Sequence, residues 1–590
     1  MSKKKTTSKL GLCLSGGGFR AALFHIGTLA ALAEKGWLHK VEVLSTVSGG
    51  SIIGAYYYLK IKQLLEGHRP GTPAPTPEVY LEIVREIERD FLAAVQQNPR
   101  MHLLLDPWKT TRMMTDESYS RSDRMAEILD ELFFDPITLA PNIHLNAIHI
   151  TPPEAVAQNY MKDGVFDVDT YNGANEYKIP VLTINATCLN TGHPWHFTGS
   201  WVGEPQRNEQ YRQEQNTNVI LQQLRFDGTT QKDRTNLEDW QKQTLRKLTL
   251  AHAVAASAAV PGIFPPFPIH DLYKNSNGDD IVVELSDGGV FDNQGIDALI
   301  NAGCTNLMVS DACGQLVDER LLGTDAFSVA MRSNDVMMER IRGWNYHDLA
   351  LRQPSPFLHL RQEASNSQDF PALPSPVDRP GGLVYRISGL RTDLDSFSDI
   401  EAYSLMYHAY GLARDRLGTA ATPPCMDWRF LGIRELVRND LPLLEKHYQV
   451  GGNLSFKAFR LAPAAAFSWL AAFVVGFIVL PACYLLWLYD IGADQLLSLA
   501  WWNEARPFAD VTVQDIAVLI AAGLPLLPWV REKFKTLDWA RAVKSYPPVQ
   551  AVFQVLRILF WLVAIISALV AWLHLRIFDR LFLKAGWLKP

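Results

Sequence analysis

One segment of this chain limits how it can fold more than any other. From Leu461 to Tyr489 there is no Asp, Glu, Lys or Arg, whereas residues before about Val450 mix apolar, polar and charged side chains. A helix needs roughly 20 predominantly apolar residues to cross a hydrocarbon core, and this run is long enough. The sequence therefore predicts a globular region over residues 1–450 and a C-terminal membrane region over residues 451–590.

Two further segments of the C-terminal region are candidate spans. Ile558–Leu575 is strongly apolar, whereas Val511–Val530 is a weaker candidate because Pro525 and Pro528 interrupt it. Basic residues shortly precede Leu461, which favours an integral membrane protein with its globular region facing the cytoplasm. The C-terminal tail is also basic, so two and three spans both remain open.

Charge and cysteine content exclude several classes of protein. The formal net charge is −6 and the sequence has no broad basic stripe, so we expect no nucleic-acid partner. The six cysteines are scattered without CxxC spacing, which is typical of free thiols in a reducing compartment and not of a disulfide framework or a zinc site. No apolar leader follows the N-terminal lysines, so we expect the first region to stay in the cytosol.

The globular region alternates strands and helices. Apolar periodicity predicts helices at Phe19–Lys35 and Ser51–Leu65, and the polar stretch Gly203–Asp239 is predicted to be a surface loop. Predicted strands are Leu10–Leu14, Val41–Val47, Val181–Ala186, Ile281–Leu285 and Asn306–Ser310. This order is typical of an α/β fold with a largely parallel sheet.

The first motif is a glycine loop, Ser15–Arg20, between a strand and a helix. Successive glycines at a helix N-terminus turn backbone N–H groups toward one point and create an anion site. In an acyl hydrolase that anion is the tetrahedral oxyanion. The alternative is a dinucleotide site, since Gly16, Gly18 and Ala21 fit GxGxxA, but the next strand lacks the acidic residue that binds a ribose.

The second motif is a serine elbow at Ser48, followed by Gly49 and Gly50. A serine at a tight strand-to-helix turn projects its hydroxyl beyond the sheet, as a nucleophile requires. Thr46 occupies the position where the GxSxG pattern has its first glycine, so the match is incomplete. An N-cap serine at a βα turn is the alternative interpretation.

The third motif is Asp287, which precedes two glycines at the end of an apolar strand. A serine hydroxyl needs a base within about 3 Å, and a carboxylate at the same sheet edge can supply it. An ordinary turn is the alternative. His25 and His252 lie on helical stretches, where packing or surface roles are more common than catalysis.

Taken in this order, the motifs resemble those of the patatin-like phospholipase family, over roughly Lys9 to Leu417. The similarity includes the glycine loop, the serine elbow, the Asp-Gly-Gly sequence, and the segments Pro180–Thr187, Asn190–Gly192 and Ala253–Pro266. The family implies a three-layer α/β/α sandwich with a mainly parallel central sheet, here followed by the helical membrane region.

The resemblance also implies a serine–aspartate dyad without histidine, metal or other cofactor. Ser48 would attack the ester carbonyl, and Asp287 would accept its proton. The implied oxyanion hole is the loop Gly16, Gly17, Gly18, Phe19 and Arg20, with the N–H groups of Gly17, Gly18 and Phe19 as donors. The sequence departs from the family pattern at Ala21 and Thr46, where glycine is usual.

Membrane helices on the same chain favour a lipid substrate. We expect phospholipase A or lysophospholipase activity on membrane glycerophospholipids, with the lipid bilayer as a partner and lipid catabolism as the role. Triacylglycerol lipase and thioesterase activities are alternatives within the same class. A catalytically silent lipid-binding scaffold and a transporter-like protein with an appended domain are alternatives from other classes.

Overall fold

The computed structural model describes residues 8–71, 74–116, 118–138, 140–162, 165–205, 221–230, 234–275, 277–313, 321–351, 356–365, 371–373, 382–418, 427–453, 457–475 and 547–588. These residues form two compact units. The first consists of the chain up to Leu103, Arg121–Lys457 and the residues from Phe582 onward, and the second consists of Leu104–Ser120 and Ala458–Leu581. Each unit is described by itself below.

The first unit is organised around a ten-stranded sheet that is parallel through its centre. The described strands are β1 Leu10–Leu14, β2 Val43–Val47, β3 Met161–Lys162, β4 Val165–Phe166, β5 Val181–Cys188, β6 Pro194–Phe197, β7 Trp201–Gly203, β8 Leu224–Arg225, β9 Phe267–Lys274, β10 Asp280–Asp287, β11 Asn306–Asp311 and β12 Phe357–His359. Strands β12, β11, β1, β2 and β5 are parallel neighbours in that order. Strands β6, β7 and β8 continue the sheet antiparallel from β5, and β3 pairs with β4 separately.

The antiparallel edge corrects one sequence prediction. β8 lies inside Gly203–Asp239, which we predicted to be a loop throughout. A two-residue strand is too short to show a periodic pattern, and it forms only because β7 offers an unpaired edge. Residues 206–220 and 231–233 of that stretch lie outside the described part of the chain.

Helices cover both faces of the sheet. On one face, Cys13 of β1, Val43 of β2 and Val309 of β11 pack against Ile296 and Leu299 of a following helix. On the opposite face, the first helix packs so closely that its residues from Gly18 to Ala33 are all buried. A helix that is apolar around most of its circumference is suited to such burial. The predicted three-layer α/β/α sandwich is thus confirmed.

The described α-helices of the chain have the following bounds. They are α1 Gly18–Glu34, α2 Gly49–Leu65, α3 Pro77–Val95, α4 Pro99–Leu105, α5 Pro107–Thr115, α6 Arg121–Leu129, α7 Asp135–Thr138, α8 Glu154–Ala157, α9 Val168–Ala174, α10 Asp239–Lys247, α11 Leu250–Ser257, α12 Gly289–Asp292, α13 Ile296–Asn301, α14 Ala326–Leu351, α15 Leu383–Ser388, α16 Asp399–Arg416, α17 Ile433–Asn439, α18 Leu441–Gly451, α19 Lys457–Leu461, α20 Pro463–Val474, α21 Pro547–Leu573 and α22 Asp579–Ala585. Short 3₁₀ or π turns occupy Leu38–Lys40, Asp130–Phe134, Leu145–Ile148, Gln158–Tyr160, Arg429–Gly432 and His574–Phe578.

A buried ion cluster ties the later helices of the first unit together. The Arg391 guanidinium donates to the carboxylates of Asp395 and Glu401, and the Lys457 ammonium donates to Asp395 Oδ2 at 2.6 Å. All four side chains are almost fully buried. Removing one member of such a cluster leaves the others charged and unpaired in a medium of low polarity, which is strongly destabilising.

Among the described residues, one helical stretch is long and apolar enough to cross a membrane, Phe560–Ala585, and it belongs to the second unit up to Leu581. It overlaps the predicted span Ile558–Leu575, and it exposes Ile566, Val570 and Trp572 among other apolar side chains. Of the predicted span Leu461–Tyr489, only the first part is described, and it is helical as α20. The predicted span Val511–Val530 lies outside the described residues.

Candidate active site

Ser48 lies at a strained turn between β2 and α2. Its backbone has φ 51° and ψ −120°, a conformation that is costly for any residue other than glycine and persists only where the surroundings impose it. The Ser48 N–H donates to Ser257 Oγ at 2.9 Å, and the Ser48 carbonyl accepts from the Ser51 N–H at 2.8 Å. The predicted elbow is therefore held on both sides by hydrogen bonds.

Ser257, at the end of α11, is a buried partner of the elbow that the sequence analysis did not identify. Its hydroxyl donates to the carbonyl oxygen of Asn185 in β5 at 2.6 Å, and it lies 2.9 Å from Ser51 Oγ. One hydroxyl thus connects the elbow, the start of α2 and the central sheet. A lone serine within the alanine-rich run Ala253–Ala259 was the available signal.

Thr46 fits this elbow because α2 has a glycine opposite it. A Cβ atom at Gly54 would lie only 2.4 Å from the Thr46 Cγ2 methyl group. The Thr46 Oγ1 also accepts a hydrogen bond from Ser51 Oγ at 3.1 Å. The departure from the usual elbow glycine is therefore accommodated by a missing side chain 1–2 turns along the next helix.

The sheet register places Asp287 directly beyond the end of β2. Val47, the last residue of β2, pairs with Asn185 of β5, and Asp287 pairs with the next residue of β5, Ala186. Strand β10 runs antiparallel to β5, so β2 and β10 approach each other end to end along the same edge of β5. We predicted a shared strand edge, and the structure brings Asp287 and the Ser48 elbow together by this head-on arrangement.

The Asp287 carboxyl is buried, and only one of its two oxygens has a hydrogen-bond partner among the described residues. Its Oδ1 accepts from the Gly289 N–H at 2.7 Å, whereas its buried Oδ2 has no hydrogen-bond partner among the described residues. Burial raises the pKa of Asp287 from 3.8 to about 6, and the nearby Ser48 hydroxyl and the Gly289 N–H act in the opposite direction. A carboxyl with a raised pKa and a free oxygen beside a serine is suited to accept that serine's proton.

The glycine loop lies against the elbow with backbone in direct contact. A Cβ atom at Gly49 would lie 2.0 Å from the Gly18 carbonyl oxygen, and one at Gly18 would lie 2.0 Å from the Thr392 carbonyl oxygen. Gly17 and Gly18 also have positive φ angles, 132° and 55°. Side chains at these positions would push the loop away from Ser48, so the close approach requires glycine.

The five residues of the implied oxyanion hole differ in their hydrogen bonding. The Gly16 N–H donates to the Asn293 carbonyl at 3.0 Å, and the Phe19 N–H donates to the Asp393 carbonyl at 3.3 Å. Neither N–H is therefore available to a substrate in this conformation. Gly17 and Gly18 both line the cavity that contains Ser48.

Arg20 points away from that cavity. Its guanidinium is buried and donates to the carbonyl oxygens of Ser388, Leu390 and Ala312 at 2.7–3.0 Å. Burial lowers the pKa of Arg20 to about 10, so the group remains charged at neutral pH. The geometry therefore favours a role for Arg20 in holding the loop, and not in binding the oxyanion as a member of the implied hole.

Ser48 and Asp287 share a cavity of about 380 Å³ with Gly17, Gly18 and Asn293. The Asn293 amide oxygen packs between the two glycine motifs, since a Cβ atom would lie 2.2 Å from it at Gly16 and 2.6 Å from it at Gly289. The sequence analysis did not identify this residue. Its only signal was its position six residues after Asp287.

The two histidines considered from sequence do not line this cavity. His25 is buried, with Nδ1 2.8 Å from Ser310 Oγ and Nε2 2.9 Å from the Ser15 carbonyl oxygen, and burial lowers its pKa to about 4. His252 packs its ring against Phe267. Within the described ranges, no three His, Cys, Asp or Glu side chains are grouped as a metal site would require.

Comparisons with known proteins agree with this site at the level of the family. The chain is similar to a solved structure of VipD from Legionella pneumophila at 15% sequence identity, over 48% of this chain and 46% of VipD, with a TM-score of 0.18. The chain thus spans just under half the length of VipD, and a likeness this weak carries no argument. No curated protein matches the chain. The family of patatin-like phospholipases matches residues 12–300, which include the glycine loop, the elbow and Asp287. Residues 12–300 of this chain are therefore a patatin-like phospholipase domain, a domain of lipid acyl hydrolases.

Proposed function

We propose that this protein hydrolyses fatty-acyl esters of membrane glycerophospholipids, as a phospholipase A or lysophospholipase, with Ser48 as nucleophile and Asp287 as base. The observation that carries the proposal is the end-to-end approach of β2 and β10 on β5. It brings a strained serine and a buried carboxyl with a free oxygen into one cavity. The Ser48 side chain makes no helix-cap hydrogen bond, and only Oδ1 of Asp287 takes part in the local turn, so the second oxygen is left over.

Acylation begins when Ser48 Oγ attacks the ester carbonyl carbon. The Ser48 proton passes to Asp287 Oδ2, and the carbonyl oxygen becomes the tetrahedral oxyanion. We assign the oxyanion donors to the N–H groups of Gly17 and Gly18, because those of Gly16 and Phe19 already bind carbonyl oxygens. Loss of one such donor typically slows turnover about 10²–10³-fold. The bond to the leaving oxygen then breaks, and Asp287 returns the proton to the leaving alcohol.

Deacylation repeats the same proton transfers with water as the nucleophile. Asp287 accepts a proton from the water that attacks the Ser48 ester, and then protonates Ser48 Oγ as the fatty acid leaves. A base with a pKa of about 6 is mostly ionised at neutral pH and still accepts a proton readily. The cycle needs no histidine, metal or other cofactor.

A membrane location for the substrate is supported by the candidate span Phe560–Ala585. We propose that residues 451–590 anchor the chain in the bilayer and that residues 1–450 act from the cytoplasmic side. Alkaline carbonate extraction tests the anchor. Protease added to sealed inverted vesicles tests the side, because these vesicles expose the cytoplasmic face and the globular region should be cleaved. Release into the carbonate supernatant would contradict the anchor. Protection of the globular region in inverted vesicles, or its cleavage in sealed right-side-out vesicles, would contradict the orientation.

The activity itself is tested by fatty-acid release from phospholipid in detergent micelles. Wild-type protein should release fatty acid, and Ser48→Ala should release none above background. Release that survives Ser48→Ala would contradict the proposal. Wild-type protein that releases no fatty acid from phospholipid, lysophospholipid, triacylglycerol or acyl thioester would instead favour the silent lipid-binding scaffold.

A further inference from the structure

Helix α14 forms one wall of the active-site cavity. Met331, Asn334, Met338 and Arg342, which follow one another at intervals of three or four residues, line the cavity together with Ser48. With 3.6 residues per turn, these positions share one side of the helix. The opposite side of α14 therefore faces away from the catalytic groups.

Hydrogen bonds fix the rotation of α14 about its axis. The Asn345 side-chain amide donates to Asp292 Oδ1 at 2.8 Å and to Gln294 Oε1 at 3.0 Å. The next residue, Tyr346, donates its hydroxyl to the buried carboxylate of Asp311. Because Asp292, Gln294 and Asp311 are buried, these hydrogen bonds fix which side of α14 faces away from the globular core.

The outward side of α14, here called the outer face, is apolar and exposed. It consists of Val329, Val336, Met337, Arg340 and Trp344, whose spacing places them on one stripe opposite the cavity side. The four apolar side chains are each about half exposed or more, and Trp344 is 67% exposed. Single exposed apolar residues are common, but a stripe of four on one helix is a mark of an interaction surface.

Neighbouring segments extend this apolar character around the cavity. Leu321 and Leu322, shortly before α14, are 92% and 54% exposed. On a different element, Ile263 is 51% exposed only three residues after Val260, which lines the cavity. Two separate wall elements of the same cavity thus present aliphatic side chains to the outside.

The charge pattern indicates what covers the outer face. Its one charged residue is the exposed cation Arg340, whereas the acidic residues Asp335 and Glu339 lie on the cavity side. An amphipathic helix with a large apolar side chain such as Trp and a cation on its outward side is suited to a lipid surface that carries anionic head groups.

We propose that the outer face of α14 docks onto an anionic phospholipid surface and so delivers acyl chains to the cavity beside Ser48. The proposal rests on the acyl-hydrolase function proposed above and identifies the physical form of its substrate. It assigns no catalytic role to the outer face. Docking through this face should raise the rate on lipid packed in a bilayer without changing the rate on an ester dissolved in water.

The test compares two substrates for the full-length protein purified in mild detergent. One is a fluorogenic phospholipid in vesicles of phosphatidylcholine with or without phosphatidylglycerol, and the other is a water-soluble p-nitrophenyl ester. The double variant Val336→Asp/Met337→Asp should lose about tenfold or more of its rate on anionic vesicles, because burial of a large apolar side chain corresponds to a tenfold effect or more. Its rate on the soluble ester should match that of wild type.

Matched controls separate docking from general surface effects. Val165→Asp replaces a valine in β4 that is more exposed than Val336 and Met337, and it should leave both rates unchanged. Arg340→Gln should abolish the preference for phosphatidylglycerol, whereas Arg246→Gln, at an exposed position of α10, should preserve it.

Three results would overturn the docking proposal. An equal loss of both rates in the double variant would show that the change acts on the cavity or the fold. An unchanged vesicle rate would remove the lipid surface as the occupant and leave a protein partner. A loss in Val165→Asp as large as in the double variant would show that any added charge has the same effect. Failure of the acyl-hydrolase function is distinct, since wild-type protein would then hydrolyse neither substrate.

Discussion

Replacing Asp287 by Asn separates two consequences of burying a carboxyl group beside Ser48. The substitution removes the proposed base, so activity should fall. It also removes a negative charge from a site of low polarity, so the folded protein should become more stable at neutral pH. The amide keeps the shape of the carboxyl and can still accept the hydrogen bond from the Gly289 N–H.

The size of the stability effect follows from the pKa of Asp287. Burial raises it from 3.8 to about 6. Each pH unit between the two values corresponds to about 1.4 kcal/mol, so the ionised carboxylate costs the folded state about 3 kcal/mol. Since the folded-state pKa is the higher one, the unfolded chain loses its proton first. The free energy of unfolding therefore falls as the pH rises from about 4 to about 6, and the cost is constant above that.

The assay measures denaturant unfolding of full-length wild type, Asp287→Asn and Ser48→Ala in detergent solution. Asp287→Asn and wild type should have similar free energies of unfolding near pH 4, and the variant should be more stable by about 3 kcal/mol near pH 8. Ser48→Ala is the matched control, because it also lacks activity but keeps the Asp287 charge. It should show at least the wild-type loss of stability between these pH values, because removal of the Ser48 hydroxyl takes away one of the groups that lower the pKa of Asp287.

Kinetics on the soluble ester complete this prediction. For wild type, kcat/KM should rise with pH through a midpoint near 6, as Asp287 loses its proton. Asp287→Asn should lose about 10²–10⁴-fold of kcat/KM, the usual contribution of a general base. A stability difference that is the same near pH 4 and near pH 8, or a wild-type profile without an inflection near pH 6, would refute the reasoning.

Three further substitutions test the support of the site and of the fold. Gly54→Ala should destabilise the protein by about 1–3 kcal/mol through the clash with Thr46, and adding Thr46→Ser should recover most of that loss in a double-mutant cycle of unfolding; additive losses would contradict the contact. Ser257→Ala removes the partner of the Ser48 N–H, and we expect a loss of about 1–3 kcal/mol in stability together with a fall in kcat on the soluble ester; unchanged kcat would show that the elbow keeps its shape without it. Arg391→Ala should cost about 3–5 kcal/mol, seen as a lower urea midpoint, because it leaves the buried Glu401 carboxylate without its cation; a loss below about 1 kcal/mol would mean that water reaches the cluster.

Local patterns were sufficient to predict the centre of the sheet. The strands Leu10–Leu14 and Val43–Val47 are short and mainly apolar, as is typical of strands covered on both faces, and glycines mark the turns that follow them. Predicted and observed strand bounds therefore differ by only a few residues. Strand β10 was also located, but its antiparallel direction was not, since direction depends on pairing with β5 and not on local sequence.

The sequence pointed to the proposed reacting residues but not to the residues that support them. Ser48 and Asp287 stood out because glycines follow both, and the chemistry of acyl transfer needs a nucleophile and a base. Ser257 and Asn293 lie near Ser48 only because of tertiary packing, so no sequence motif predicts their place in the site. The same holds for the outer face of α14, which is recognisable as an outward surface only when the cavity on its other side is known.

The hydrogen bonds of the glycine loop could not be predicted from sequence either. The resemblance implied the loop Gly16–Arg20 as the oxyanion hole with Gly17, Gly18 and Phe19 as donors, but the pattern itself shows only that the backbone can turn there. The carbonyl oxygens of Asn293 and Asp393, distant in sequence, take up the N–H groups of Gly16 and Phe19. This long-range pairing is what narrows the proposed donors to Gly17 and Gly18.

The most direct test of the proposed dyad is covalent labelling with a fluorophosphonate, followed by mass spectrometry of the labelled peptide. A serine activated by a neighbouring base attacks this probe, whereas ordinary serines react very slowly. Wild-type protein should carry one label on Ser48, Asp287→Asn should label much more slowly, and Ser48→Ala should not label. A label on a different serine, or labelling of Ser48→Ala at the wild-type rate, would contradict the assignment of Ser48 as the nucleophile.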